Sequence, residues 1–309
     1  MQDRFTGQPT IIQGRRLPAA AAQAALFDDH RRRLAALDRL RAAAAECGLA
    51  TDPDRDLVLL PEDAVILLEG AGVPWSTLGA AIRDFRGCLP LLPLETFGFS
   101  AAVEDPLAEG SSQLRRIGGG VEAWAFSDAS GSVYKFFLPR DDLWIGATFS
   151  FRPAEESVLQ AEASLGSYRD LLEKLAVISA IGGMPTEAVA VTPEGVVVAK
   201  QTLGDRLPER TDTSKLLPPS LIPWPSRFLR IDRDHPRLVF VDGQPWLVAD
   251  PHDRNIVWDA EGCARIIDLV AAPLPPALLQ GFPLLGEWIE RARRDPAAPL
   301  LAPANDDEL

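Results

Sequence analysis

The sequence predicts an α+β protein: a helical N-terminal region, a strand-rich middle built around one helix, and a compact C-terminal part of paired strands. Three observations carry that expectation. An Ala-rich run with Leu and Arg at helical spacing fills residues 18–48. At about Ser111 the texture changes to short β-like runs separated by glycine turns. From 204 to 235, Pro208, Pro218, Pro219, Pro223 and Pro225 exclude a long uninterrupted helix, and apolar strand pairs follow.

Taken in order, residues 1–17 read as irregular and 18–48 as one amphipathic helix with a basic face. Pro61-Glu-Asp-Ala-Val starts a second helix, with proline and acids in its first turn. A third runs from Trp75 to Phe85, and the proline-dotted stretch from Pro90 to Gly110 reads as a linker. Gln113–Ile117, Glu122–Ser127 and Ser132–Phe137 are strands; Gly118-Gly-Gly120 and the hairpin turn Asp128-Ala-Ser-Gly131 lie between them. Residues 141–160 read as an irregular insertion, and 161–182 as a helix stopped by Gly182, Gly183 and Pro185. Ala188–Val191 and Val196–Gln201 form two further strands around Thr192-Pro-Glu-Gly195. Leu238–Val241 and Trp246–Val248 flank the turn Asp242-Gly-Gln244. Pro276–Arg294 is helical in pattern with a break near Pro283. The expected domains are 1–110, 111–203, 204–295 and an acidic tail over 296–309.

A net charge of −13 argues against a nucleic-acid surface, because neutralising phosphates needs clustered Lys and Arg. Three cysteines, Cys47, Cys88 and Cys263, are odd in number and widely spaced, so they read as buried thiols of a reducing compartment. No signal pattern and no membrane-length apolar run is visible, and the expected location is the cytoplasm.

The chemistry concentrates in Val248-Ala-Asp-Pro-His-Asp-Arg-Asn-Ile-Val-Trp258 and Ile266-Ile-Asp-Leu-Val270. Asp250 and Asn255 are five residues apart, and Asp268 follows across the hairpin turn Asp259–Gly262. An isolated Asp near a turn is usually a cap. Three hard-oxygen side chains at the ends of adjacent strands are instead a plausible metal and acceptor site. Upstream, Ile117-Gly-Gly-Gly-Val-Glu122 offers backbone N–H groups unscreened by Cβ atoms, which suits phosphate oxygens. Lys135, on the mostly apolar strand Ser132-Val-Tyr-Lys-Phe-Phe137, is either an edge charge or a buried cation needing a partner.

The ordered set is glycine turn, strand lysine, helix glutamate, strand pair, Asp-x-His-x-x-Asn and strand-ending Asp. It resembles the protein-kinase-like superfamily over roughly residues 112–295. The catalytic loop is similar to that of aminoglycoside-phosphotransferase-type kinases. The whole resembles the Ser/Thr/Tyr-kinase-like domains of polyvalent proteins of phages and mobile elements. The resemblance implies a two-lobed kinase-like fold: a five-stranded antiparallel sheet with one helix, a minimal C-lobe, and the helical N-terminal region in front. It implies ATP and Mg²⁺ as cofactors and phosphotransfer to a hydroxyl of a protein or small molecule. Gly118, Gly119, Gly120 and Lys135 would hold the triphosphate, and Glu173, with Glu162 as fallback, would pair with Lys135. Glu122 beside the glycines is a further candidate to approach the phosphates. Backbone groups of Lys200, Gln201 and Thr202 would meet adenine. Asp250 would orient the acceptor, Asn255 and Asp268 would bind the metal, and His252 would brace the loop.

Several features depart from the family pattern. The glycine run lacks the full Gly-x-Gly-x-x-Gly spacing, and Val248-Ala249 replaces the residues that usually precede the base. Asp268-Leu-Val lacks the following glycine, and Pro273, Pro275 and Pro276 leave no room for a phosphorylatable activation loop. These point to a constitutively formed catalytic loop. Transfer of AMP to a hydroxyl would use the same residues with ATP reversed, and a non-catalytic ATP-binding module would keep the fold alone.

Overall fold

The computed structural model describes residues 19–49, 54–62, 75–140, 144–155 and 158–297. The expected irregular start, almost all of the helix beginning at Pro61, and the acidic tail lie outside these residues. The helices are α1 (Ala19–Glu46), α2 (Arg55–Val58), α3 (Trp75–Cys88), α4 (Pro106–Glu109), α5 (Tyr168–Ala180), α6 (Pro276–Gln280) and α7 (Pro283–Arg294). The strands begin with β1 (Arg115–Gly119), β2 (Ala123–Ser127), β3 (Ser132–Phe137), β4 (Pro139–Arg140), β5 (Trp144–Ile145), β6 (Ala147–Glu155), β7 (Val158–Leu165), β8 (Thr186–Val191) and β9 (Val197–Thr202). They continue with β10 (Asp205–Arg206), β11 (Ile222–Pro223), β12 (Leu229–Ile231), β13 (Arg237–Val241), β14 (Gln244–Ala249), β15 (Ile256–Trp258), β16 (Ala264–Ile266) and β17 (Val270–Pro273). The chain is α+β with a helical N-terminal region and several sheets, and it divides into two compact units. Among the described residues no helix is long and apolar enough to cross a membrane.

The first unit takes the described residues up to Gly146 together with 165–179 and 184–203. Its centre is a five-stranded sheet in the order β1-β2-β3-β9-β8, every neighbouring pair antiparallel. Because strand side chains alternate in direction, each face has its own cover. Phe137, Val197, Ala199, Ala188 and Val191 pack with Tyr168, Leu171, Leu172 and Leu175 of α5 and with Leu37, Leu40, Leu78, Ile82 and Phe85 of α1 and α3. The opposite face presents Phe126, Tyr134, Phe136 and Val198 to Leu94, Phe97, Phe99 and Leu107. There Phe99 meets Phe126 and Phe136 edge-on, with ring centroids 5.2 and 5.1 Å apart. Residues 90–110 were expected to be a linker. They form this second cover, tied by Leu92 N–H to the Val191 carbonyl at 2.9 Å and by a bridge between Leu91 and Val191. Their prolines interrupt helix without preventing burial of the apolar residues between them.

The second unit comprises 147–164, 180–183 and the described residues from Gly204. It holds a four-stranded sheet β11-β13-β14-β17, a three-stranded sheet β12-β7-β6 and a small sheet β10-β15-β16. Its core joins Leu238, Leu247, Ala249 and Ala272 to Phe282, Leu285, Trp288 and Ile289 of the C-terminal helices. The interruption near Pro283 is present, between α6 and α7. Two expectations change here. Residues 161–165 belong to strand β7 instead of forming the first turns of a helix, and the described part of the expected irregular insertion is almost all strand, in β5, β6 and the start of β7. Val158-Leu-Gln-Ala-Glu-Ala-Ser-Leu165 is rich in helix formers. Its pairing with β6 and, in parallel, with Leu229–Ile231 overrides that local preference, as tertiary context routinely does. All three cysteines are free thiols, but none is fully buried: Cys47 and Cys88 are part-buried, and Cys263 is exposed in the β15–β16 turn, with its N–H donated to Asp259 Oδ1 at 2.7 Å.

Candidate functional site

In the first unit the ladders align Gly118, Ala125, Lys135, Ala199 and Ala188 across all five strands. Opposed residues share a face, so Lys135 lies on the face that packs against α5. Its row neighbours are alanines, which leave room beside β3 for a long cationic side chain. Lys135 is itself part-buried.

The charge pairing around α5 differs in detail from the expected lysine–glutamate pair. Glu173 accepts from Arg169 Nε at 2.9 Å, one helical turn earlier, and Arg169 also pairs with Asp38. Burial pushes the Glu173 carboxyl above its ordinary value, and Arg169 pulls it back. The helix residue that reaches the glycine turn is Lys174. It is 1% exposed, with Nζ 2.6 Å from Glu122 Oε1 and 5.6 Å from the Phe137 ring centre. Glu122, the further candidate to approach the phosphates, is thus engaged by a buried cation. The fallback partner Glu162 is corrected: it lies on β7 in the second unit, paired with Arg152 and accepting from Gln160 Nε2 at 2.9 Å.

The glycine run ends β1 and turns toward β2, with a register shift between Arg116 and Gly118. A Cβ built on Gly118 or Gly120 would meet nothing within 4 Å, and on Gly119 would meet only Arg116 and Trp124 side-chain atoms at 3.4 Å or more. None of the three has a positive φ. Gly195 contrasts: its φ is +88° and its Cβ would fall 2.5 Å from the Tyr168 hydroxyl. The fold requires glycine at 195 and does not require it at 118–120.

At the other end of the sheet, Lys200 and Gln201 lie within β9 with neighbours on both sides, Tyr134 and Glu187 for the first, Val133 and Thr186 for the second. Their backbone groups are enclosed by two ladders. Thr202 is the exposed last residue of the strand, so any main-chain contact to a base falls to Thr202 and the residues after it. Lys200 Nζ stands 5.5 Å from the centre of the Tyr134 ring, and Gln201 Oε1 accepts from the Thr186 hydroxyl at 3.2 Å.

In the second unit, two ladders bring Asp250, Asn255 and Asp268 to one corner. Ala249 at the end of β14 is opposite Val270 of β17, and Ile256 at the start of β15 is opposite Ile266 of β16. Ile267 N–H bonds the Asn255 carbonyl at 2.8 Å, so Asp268 sits in the two-step crossing between those ladders. The strand expected to end at Asp268 stops at Ile266, and Asp268 lies at the joint between two short strands, β16 and β17. Asp250 has φ +67°. That left-handed conformation costs a non-glycine residue about 1–3 kcal/mol and clusters at functional sites. It is held by reciprocal bonds with Asp234: Asp250 N–H to the Asp234 carbonyl at 2.8 Å, and Asp234 N–H to Asp250 Oδ1 at 3.2 Å. Asn255 Nδ2 donates to the Asp250 carbonyl at 3.0 Å. His252 braces the loop as expected: its carbonyl accepts from Asn255 N–H at 2.9 Å and its Nδ1 from Arg254 N–H at 3.3 Å. Asp268 Oδ1 accepts from Leu269 N–H at 2.9 Å.

Arg233 was missed by sequence reasoning. Its Nε lies 3.5 Å from Asp250 Oδ2. The only sequence signal was an Arg-Asp-His-Pro turn before a strand.

Among the described residues no group of three or more His, Cys, Asp or Glu side chains could hold a metal ion by itself. The corner carries the amide of Asn255 and the carboxylate of Asp268. Mg²⁺ typically takes one or two protein carboxylates and completes its shell with phosphate oxygens and water, so these two side chains would suit it only where a nucleotide contributes the remainder. No family model matches the sequence, no curated protein matches it, and no solved structure matches the fold.

Proposed function

We propose that the chain is a kinase-like, Mg²⁺-ATP-dependent phosphotransferase acting on a hydroxyl of a protein or small molecule. The observation that carries the reading is the corner of the second unit, where two ladders place Asp250, Asn255 and Asp268 at the ends of neighbouring strands and Asp250 is held at φ +67°. A strained carboxylate fixed by its neighbours is suited to orient an acceptor, and the amide and second carboxylate are suited to a hard cation. Two features of the first unit support the reading. Lys135 lies in a row of small residues on the helix-facing side of the sheet, as a phosphate-orienting lysine would. No side-chain crowding demands glycine at 118–120, and the missing side chains leave this turn open to a phosphate, although the Gly120 N–H is itself donated to the Ala123 carbonyl at 2.9 Å.

In this reading Lys135 and the open glycine turn would hold the triphosphate, and Asn255 and Asp268 would hold the metal. The metal neutralises phosphate charge when bound. Asp250 accepts the hydrogen bond of the acceptor hydroxyl and fixes it for in-line attack. Asp234 N–H holds that carboxylate, and Asn255 Nδ2 holds the Asp250 main-chain carbonyl. The three free thiols accord with a cytoplasmic setting, where ATP is abundant.

The test is hydrogen exchange on the full chain with and without Mg²⁺ and a non-hydrolysable ATP analogue. Protection is expected together at Gly118–Gly120 and at Asp250–Ile256. Protection of one segment without the other, or of neither, would overturn the reading.

A further inference from the structure

We propose that Arg233 and the main chain of Asp234 form a clamp that positions Asp250 for transfer; this rests on the phosphotransferase reading above. The two carboxylate oxygens are held unequally. Oδ1 accepts the Asp234 N–H at 3.2 Å, while Oδ2 faces Arg233 Nε at 3.5 Å, within ion-pair reach but loose for a hydrogen bond. Oδ1 is the anchored oxygen, and Oδ2 is the one left to receive an acceptor hydroxyl. The anchor does not come from the strand that carries Asp250. It comes from the residues between β12 and β13, joined to Asp250 by the second reciprocal bond, Asp250 N–H to the Asp234 carbonyl at 2.8 Å. His235, which follows, is also left-handed at φ +53°, so the chain is bent sharply on both sides of the contact. Arg233 itself is half-exposed, with 38% of its side chain accessible. It contributes little to the core; its Nη1 donates to the Asp232 carbonyl at 3.1 Å and lies 3.3 Å from Asp232 Oδ2, which leaves Nε turned to Asp250.

Arg233 is therefore a positioning residue. Its single-atom contact at 3.5 Å is a charge contact and not a bidentate fork, so a lysine can replace it. The test uses the full chain with Mg²⁺ and ATP labelled at the γ-phosphate, following phosphate transfer to protein and release to water. Arg233→Gln is expected to lower kcat about tenfold or more, since small misplacements of reacting groups cost up to about a hundredfold. KM for ATP and the melting temperature should stay unchanged, and Arg233→Lys should recover most of the rate. Unchanged kcat in Arg233→Gln would overturn the clamp while leaving the phosphotransferase reading intact. A wild-type chain without Mg²⁺-dependent transfer would overturn both. Independently of turnover, the Arg233 Nε proton should exchange faster in Asp250→Asn than in wild type; equal exchange would overturn the clamp.

Discussion

His30 makes the first unit sensitive to acid, and the size of the effect follows from its surroundings. It lies on α1, 0% exposed, with Nε2 2.8 Å from the Thr186 carbonyl. Nε2 must therefore carry the proton, and Nδ1 is buried with no hydrogen-bond partner. A second proton would sit at Nδ1 with nothing to accept it and with the Arg33 cation close by. Burial first, and Arg33 second, push the imidazole down from 6.5 to about 4. The sign is opposite to that of a histidine that gains an acidic partner. Between pH 6.5 and about 4 the unfolded chain binds the proton and the folded chain does not, so stability falls as pH falls through that window. At pH 5 the loss relative to neutral pH is about 2 kcal/mol, approaching about 3 kcal/mol below both values. Gln at this position can still donate to the Thr186 carbonyl and does not titrate. Urea unfolding of wild type and His30→Gln at pH 7.5 and 5.0, followed by a probe in the first unit, measures the difference. Wild type should lose about 2 kcal/mol more than the variant between the two conditions. Equal losses would refute the reasoning.

Further outcomes are expected at three places. Alanine at Gly118 and Gly120 meets no atoms within 4 Å, so the double variant should be as stable as wild type or about 0.5 kcal/mol more so, while KM for ATP rises; a melting shift downward, or an unchanged KM, counts against a phosphate-binding role. Arg86 donates to the carbonyls of Leu60 and Leu89 at 3.0 and 3.1 Å and to that of Val58, and burial lowers it to about 10. Arg86→Ala leaves those acceptors unmet and should cost about 3 kcal/mol by denaturant titration. Lys174→Met removes the buried cation paired with Glu122 and should cost about 3 kcal/mol, with part of the loss recovered when Glu122→Gln is added; additive losses in the double-variant cycle would show that the pair is not coupled.

What could be read in advance was what local patterns encode. Buried Leu37, Leu40 and Ala44 repeat at helical spacing and marked α1, and the turn Asp128–Gly131 marked the β2–β3 hairpin. The candidate corner was legible because Asp250, Asn255 and Asp268 lie at turns between short apolar runs. Long-range pairings were not legible. Residues 158–165 become a strand because β6 and the distant Leu229–Ile231 pair with them, and nothing within the segment announces that. Residues 90–110 fold onto the sheet because Phe97 and Phe99 find a ring cluster whose members lie up to 39 positions further along. On α5 a single position mattered: Glu173 and its neighbour Lys174 point about 100° apart around the helix, and the pattern of leucines does not say which of them meets the turn after β1. Arg233 contacts a residue 17 positions later across the base of the β13–β14 hairpin, with His235 and Asp250 left-handed at its two ends, a geometry no spacing rule encodes.

The most direct measurement of the central claim compares ATP labelled at the γ-phosphate with ATP labelled at the α-phosphate, using purified wild type and Asp268→Asn with Mg²⁺. The expected result is γ-label on protein or in released phosphate, α-label left on the nucleotide, and loss of transfer in Asp268→Asn. Retention of α-label on the acceptor, or γ-transfer that survives Asp268→Asn, would contradict it.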